Sequence, residues 1–377
     1  MQEAAPTTLS RKKKLVFGLI FASILLGLTE LALRLALGPP PPPVRVYNAL
    51  GEHDSWLTEE GGQVRTTYID IQPPAPFPAQ WSGPRCAVHG GSSVHGGTPS
   101  LAATDEFPGL LSRQLGIPVI NLASPGLDTF DHLAVTEAML QYPWSCMIIY
   151  AGHNDFGNAF FQARYGDLMS GIGARTRAGL EHFQLFVQLH KLLAPIEGLP
   201  REVMSRGGPD RNLIDDTRWW AALRYLEANT RRMVWLAKKK GVVTIIVNPV
   251  SDVLQTPGQQ DCSGPDCAAE VYREAVAARQ TDGRKAAALF RRARDLDRVA
   301  LRAPSAAQEA FHRVAVEEGA IWVDAETALP QEQGVPVPAE WLFVDGVHFS
   351  AEGHQAMARI LGPAVRQAVE SAQKSRN

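Results

Sequence analysis

The sequence is short of cysteine, of net charge and of any second long apolar run, and each shortage removes a class of protein. Its four cysteines, Cys86, Cys146, Cys262 and Cys267, are too few for a disulfide scaffold and form no CxxC pair of the structural-zinc kind. Lys and Arg number 37 against 39 Asp and Glu, a net charge of −2. The basic excess that phosphate-backbone binding requires is missing, so nucleic acid is not an expected partner. The glycines of residues 90–97 lack the Lys and following Ser or Thr of a phosphate-cradling loop. Val94, two residues after Ser92, breaks the G-x-S-x-G elbow. No H-E-x-x-H spacing unites His89, His95 and His153, and neither a metal nor any other cofactor is expected.

What is present begins with an anchor. Arg11, Lys12, Lys13 and Lys14 precede an uncharged run from Leu15 to Thr29, and apolar character continues past Glu30 and Arg34 to Leu37. As a helix, Leu15 to Leu37 would rise roughly 34 Å, enough to cross a hydrocarbon core of about 30 Å, with Glu30 and Arg34 paired at i, i+4. The basic cluster stays cytoplasmic under the positive-inside rule, which places the rest of the chain on the far side. A cleaved signal peptide is the competing reading, but no A-x-A site follows and prolines run from Pro39 to Pro43. Residues 1–43 are therefore expected to be tail, single transmembrane helix and polyproline spacer, and residues 44–377 a folded domain.

That domain reads as α/β. Cys86 to Gly90, Val119 to Leu122, Met147 to Ala151, Val242 to Asn248 and Ala320 to Val323 lack strict apolar–polar alternation, as strands buried on both faces do. Helical periodicity separates them, predicting a five-stranded parallel sheet with crossovers. Two stretches exceed an ordinary connection, and helical insertions are expected over about 156–217 and 262–316. Cys262 and Cys267 flank a turn-rich loop that a disulfide would close outside the cytoplasm. Cys86 and Cys146, at the starts of neighbouring strands, read as buried hydrophobes.

Chemistry gathers where the strands end, the edge at which open parallel sheets bind ligands. The first strand runs into Gly90-Gly91-Ser92-Ser93-Val94-His95-Gly96-Gly97, the second into Ser124-Pro125-Gly126, the third into Gly152-His153-Asn154-Asp155. Near the C-terminus, Asp345-Gly346-Val347-His348 spaces a carboxylate to orient an imidazole. A serine hydroxyl becomes nucleophilic when an imidazole takes its proton, and the oxyanion that follows needs N–H donors already in place. His354 is a competing imidazole, expected toward solvent or the helix start.

These four blocks, in this order, resemble those of the SGNH/GDSL hydrolase family, serine esterases and acyl-group enzymes on a flavodoxin-like three-layer α/β/α sandwich. The resemblance covers residues 86 to 361 and implies Ser92 as nucleophile, His348 as base and Asp345 as its partner. It implies an oxyanion hole of the Ser92 and Gly126 amides with the Asn154 side chain. Gly91 stands where the family motif has Asp, and a register shifted by one residue would make Ser93 the nucleophile. The anchor, the G-H-N-D block and the helical stretch before the last strand resemble a membrane-anchored bacterial envelope branch of the family. The implied protein is a single-pass protein of the inner membrane with its catalytic domain in the periplasm. It would act as a serine esterase or acyltransferase on an acyl ester, either an O-acylated glycan or a lipid. A catalytically inactive envelope scaffold on the same fold is the alternative. Arg302, at a helix end beside Pro304, is a further candidate for substrate binding.

Overall fold

Five apolar runs become the parallel strands of one sheet in this computed structural model, which describes residues 11–37, 56–67, 76–96, 105–161, 180, 183–193, 213–299 and 301–374. The strands are β1 (Cys86–Gly90), β2 (Val119–Asn121), β3 (Cys146–Tyr150), β4 (Val243–Val247) and β5 (Ile321–Val323). They lie in the order β2-β1-β3-β4-β5, all parallel. This is the flavodoxin-like order, and its switch point falls between β1 and β3. The helices longer than one turn are, in chain order, α1 (Arg11–Leu37), α2 (Phe107–Leu115), α3 (Thr129–Met139), α4 (His153–Phe161), α5 (Gln184–Leu193) and α6 (Asp216–Lys239). They continue with α7 (Ala268–Ala278), α8 (Gly283–Leu296), α9 (Ser305–Glu318) and α10 (Ala351–Lys374).

Alternate residues of each strand feed opposite cores. Ala87, Met147, Ile149 and Ile246 pack with α3, α6 and α9, while Cys86, Val88, Ile148 and Val247 pack with α2 and α10. Both faces are covered, so the strands are mostly apolar and show no strict apolar–polar alternation, with His89, Asn121 and Thr244 as the polar exceptions. The expected insertion over 262–316 resolves into the α7–α8 hairpin and α9. The hairpin has its own small core, in which Phe290 and Ala286 meet Val335 and Val337. A three-stranded antiparallel sheet, Leu57–Glu60, Gln63–Thr66 and Phe77–Pro78, precedes β1 and had no counterpart in the sequence reading.

The described chain divides into two compact units. Among the described residues, one takes in α1 and α5 and the other the sheet with the remaining helices. In the first, α1 is long and apolar enough over Val16–Ala36 to cross a membrane. The tail before Arg11, the proline run Pro39–Pro43 and most of the expected insertion between α4 and α6 lie outside the described residues.

The cysteine expectation needs one correction. Cys86 and Cys146 are not merely buried hydrophobes but a disulfide, with Cα atoms 4.6 Å apart. They occupy directly paired positions on neighbouring parallel strands, which brings side chains 60 residues apart in sequence onto the same face. On the loop-closure model, a cross-link of that span stabilises the fold by about 4 kcal/mol. Cys262 and Cys267 form the second disulfide, as their turn-rich loop suggested.

Candidate active site

β1 ends at Gly90, and the chain turns at once into a one-turn helix, Ser92–His95, that carries Ser92 at its N-terminus. The hydroxyl of Ser92 lies 2.7 Å from Nε2 of His348. Nδ1 of the same ring lies 2.6 Å from Oδ2 of Asp345. Oδ1 of Asp345 accepts from the backbone N–H groups of Val347 and His348, each at 2.8 Å, so the carboxylate is fixed by the loop that it serves. Burial alone would raise the Asp345 carboxyl, but those two N–H donors and the His348 ring outweigh it and hold it below the usual carboxylate range. Ser93, the alternative nucleophile, is buried.

The second side of the site is made by the loop after β2. Leu122 N–H donates to Val88 O and Ser124 N–H to Gly90 O, which draws this loop alongside the Ser92 turn. Gly126 then turns with φ +80°, a conformation that a side chain would strain. Three residues of α4 hold the loop in place. Asn154 Nδ2 donates to Leu127 O at 2.9 Å, leaving the amide its second N–H. Asn158 Nδ2 bridges Gly126 O at 2.9 Å and Asp128 Oδ2 at 3.1 Å. Asp155 Oδ1 accepts from Thr129 N–H and Oγ1–H at the start of α3. Asp128 caps that same helix in a reciprocal capping box with Asp131.

This packing gives a reason for Gly91. A Cβ at position 91 would overlap Nδ2 of Asn154, so a side chain there would require that amide to shift away from the Ser92 turn. The chain thus departs from the expected Asp where the third block presses on the first.

The remaining candidates fall as follows. Arg302 is buried and satisfied by the protein itself. Nη1 donates to Asp252 O at 3.0 Å and Gln255 O at 2.9 Å, and Nη2 to Asp297 Oδ2 at 3.2 Å. Its stem borders Gly346, where a Cβ would lie 3.5 Å from Arg302 Cδ and overlap Gln255 Oε1. Arg302 therefore buttresses the Asp345–His348 loop from behind. His354 does not face solvent. It is buried, and its Nδ1 accepts from Phe107 N–H at the start of α2 at 3.2 Å, while burial and the nearby His348 lower its pKa to about 4.

His153, from the third block, is also buried, its Nδ1 accepting from Ala303 N–H at 3.1 Å. Burial first, then the neighbouring His348 and Arg294, push its pKa down to about 3, so it stays neutral and links α4 to the segment that carries Arg302. Among the described residues, no three His, Cys, Asp or Glu side chains converge as metal ligands. Asn158, Asp155 and His153 had no assigned role in the sequence reading. The available signal was the i, i+4 spacing of Asn154 and Asn158, which puts both amides on one face of α4.

Residues 88–356 match the model of the GDSL-like lipase/acylhydrolase family. No curated protein matches the chain by sequence. Among solved structures, a GDSL-like lipase from Bacteroides thetaiotaomicron is similar at 13% identity and a TM-score of 0.38, covering 75% of this chain and 88% of that one. A phospholipase A1 from Streptomyces albidoflavus is similar at 12% identity and a TM-score of 0.39, covering 76% of this chain and 100% of that one.

Proposed function

The chain belongs to the GDSL-like lipase/acylhydrolase family, and from that premise we propose that it is a membrane-anchored serine esterase or acyltransferase working outside the cytoplasm through an acyl-enzyme on Ser92. The observation that carries this reading is the unbroken hydrogen-bond chain from Ser92 Oγ through His348 to Asp345.

In the proposed mechanism, Ser92 Oγ attacks the ester carbonyl as His348 Nε2 takes its proton, while Asp345 holds the ring by Nδ1 and stabilises the imidazolium. The tetrahedral oxyanion is met by the Ser92 and Gly126 amides and the free N–H of Asn154. His348 returns the proton to the departing alcohol, leaving Ser92 acylated. Water or an acceptor hydroxyl, deprotonated by His348, then attacks the acyl carbon, and the bond to Ser92 Oγ breaks as His348 returns that proton to the serine. Hydrolysis and transfer differ only in that second nucleophile. The half-exposed site suits an acyl group on a large acceptor, and an O-acetylated glycan is the substrate class proposed.

Extracytoplasmic placement has two independent supports. A cluster of basic residues precedes the apolar span. All four cysteines are paired in disulfides, bonds that persist in oxidising compartments.

The test is labelling with a serine-reactive phosphonate, followed by ester hydrolysis assays of Ser92→Ala and His348→Ala. Labelling at Ser92 and a fall in turnover of about 10⁴ or more in each variant are expected, because the groups act as a unit. Full activity of Ser92→Ala would overturn the mechanism, and a wild-type protein that neither labels nor turns over would leave the scaffold alternative.

A further inference from the structure

The membrane span contains a carboxylate that a plain anchor does not need. Glu30 lies within Val16–Ala36, six residues and so about 9 Å of helix rise before the outer end of the span. A carboxylate at that depth is costly unless its charge and lone pairs are met. Protein groups meet them here. Arg34 Nε donates to Oε1 at 2.6 Å, Gln184 N–H donates to Oε1 at 2.9 Å, and Leu185 N–H donates to Oε2 at 2.8 Å. The last two belong to the first turn of α5, where N–H groups have no intrahelical acceptor. Glu30 is thus the cap of a helix that lies more than 150 residues away in the sequence but in the same compact unit.

We propose that α5 (Gln184–Leu193) is a second membrane-contacting element, seated against α1 in the outer leaflet with the lipid itself as its partner. The inference rests on the uncleaved anchor of the preceding reading. Three observations on this helix carry it. Its first turn is tied to a point below the outer end of the span, where unpaired N–H groups could not be left to water and where Glu30 supplies the acceptor. Its ten residues rise only about 15 Å, too short to cross and long enough to lie in one leaflet. Its faces are separated: Leu185, Phe186 and Leu189 share one stripe, while Gln184 and Gln188 share the other and bond to each other at 3.2 Å. Phe183 and Leu189 remain 49% and 47% exposed, apolar surface that acyl chains would cover. The domain is then held to the bilayer at two points along the chain.

The test uses the full-length protein in its membrane, with a specific protease site replacing Pro39–Pro43. After cleavage and a high-salt, alkaline wash, the domain fragment is expected to stay with the membrane. Glu30→Leu leaves the anchor apolar but removes the cap, and the retained fraction is expected to fall about tenfold. Leu185→Glu with Leu189→Glu should release the fragment outright. Release of the wild-type fragment on cleavage, or retention unchanged in both variants, overturns the inference while leaving the anchor intact. An uncut protein that is already soluble and has lost its first helix overturns the anchor reading instead, and this inference with it.

Discussion

The two halves of the site differ in what holds them and in how far they are exposed. The half proposed to meet the oxyanion, Gly90–Ser92 with Ser124–Asp128, is tied to three side chains of α4, namely Asn154, Asp155 and Asn158. The half proposed for acid–base work is half-exposed, with the Asp345 and His348 side chains at 47% and 31%. It is supported from behind by Arg302, Gln255 and Asp252, whose N–H donates to Gly346 O at 3.0 Å. The contrast follows from what each half would do. Donors that stabilise a developing charge must be in place before it forms. An imidazole that passes protons to an alcohol and accepts them from water needs access to both.

That comparison can be broken at four places. The largest effect is expected at the first half: Asn154→Ala should lower kcat by about 10² to 10³ with little change in KM, the signature of a lost oxyanion donor. Equal loss in KM alone would show that Asn154 merely binds substrate. Next, Gly91→Asp, which restores the family motif, should lower kcat by roughly 10- to 100-fold, because its Cβ displaces the Asn154 amide. A double-mutant cycle with Asn154→Ala checks this route, since the two losses should be strongly less than additive. Full additivity would place the Gly91 effect elsewhere.

The supporting half should respond in stability as much as in rate. Arg302→Ala leaves Asp297 buried without its ion pair and should cost roughly 3 kcal/mol in unfolding free energy, measured by urea titration. Its activity should fall about tenfold on small activated esters and large substrates alike, as misplacement of the base predicts. Loss on large substrates only would return Arg302 to the substrate-binding role read from sequence.

The smallest effect concerns Asp252. Burial, and then the nearby Glu340 carboxylate, raise its pKa to about 6, against the opposing pull of Leu254 N–H and Arg302. The folded carboxyl keeps its proton up to about pH 6, whereas the unfolded one releases it near pH 4. Stability from this group is therefore present below that window and falls as pH rises through it. Asp252→Asn should flatten the decline, gaining on the order of 1–2 kcal/mol over wild type at about pH 7.5 and little at about pH 4.5. Identical urea midpoints for the two proteins at both pH values would refute this.

Much of the fold was legible because buried parallel strands leave a local mark. β1 could be bounded to the residue, and the other four strands to within one or two, from uninterrupted apolar runs between turn residues. The order β2-β1-β3-β4-β5 was not readable from those runs, since strand order is a property of contacts between segments. The small sheet at Leu57–Pro78 escaped because its strands are two to four residues long and carry no periodicity. At the candidate site, four short blocks pointed to Ser92, Asp345 and His348, which the fold joins in one hydrogen-bond chain, and to Gly126 and Asn154 on the neighbouring loop and helix. Their buttresses, Asn158, His153 and Asp252, were not legible, because each acts through a backbone group far away in the chain.

The sequence by itself determined the local elements: an apolar span behind a basic cluster, strands that end in glycine turns, and a carboxylate three residues from an imidazole. These follow from periodicity and spacing, which every short window of chain carries. Only the tertiary structure decided that Cys86 pairs with Cys146, that Arg302 is consumed by Asp297 and two carbonyls, that Gly91 makes room for Asn154, and that Glu30 caps a distant helix. Each of these is a distance between segments that the chain brings together only when it folds, and a buried charge or a missing Cβ acquires its meaning from the group that ends up beside it.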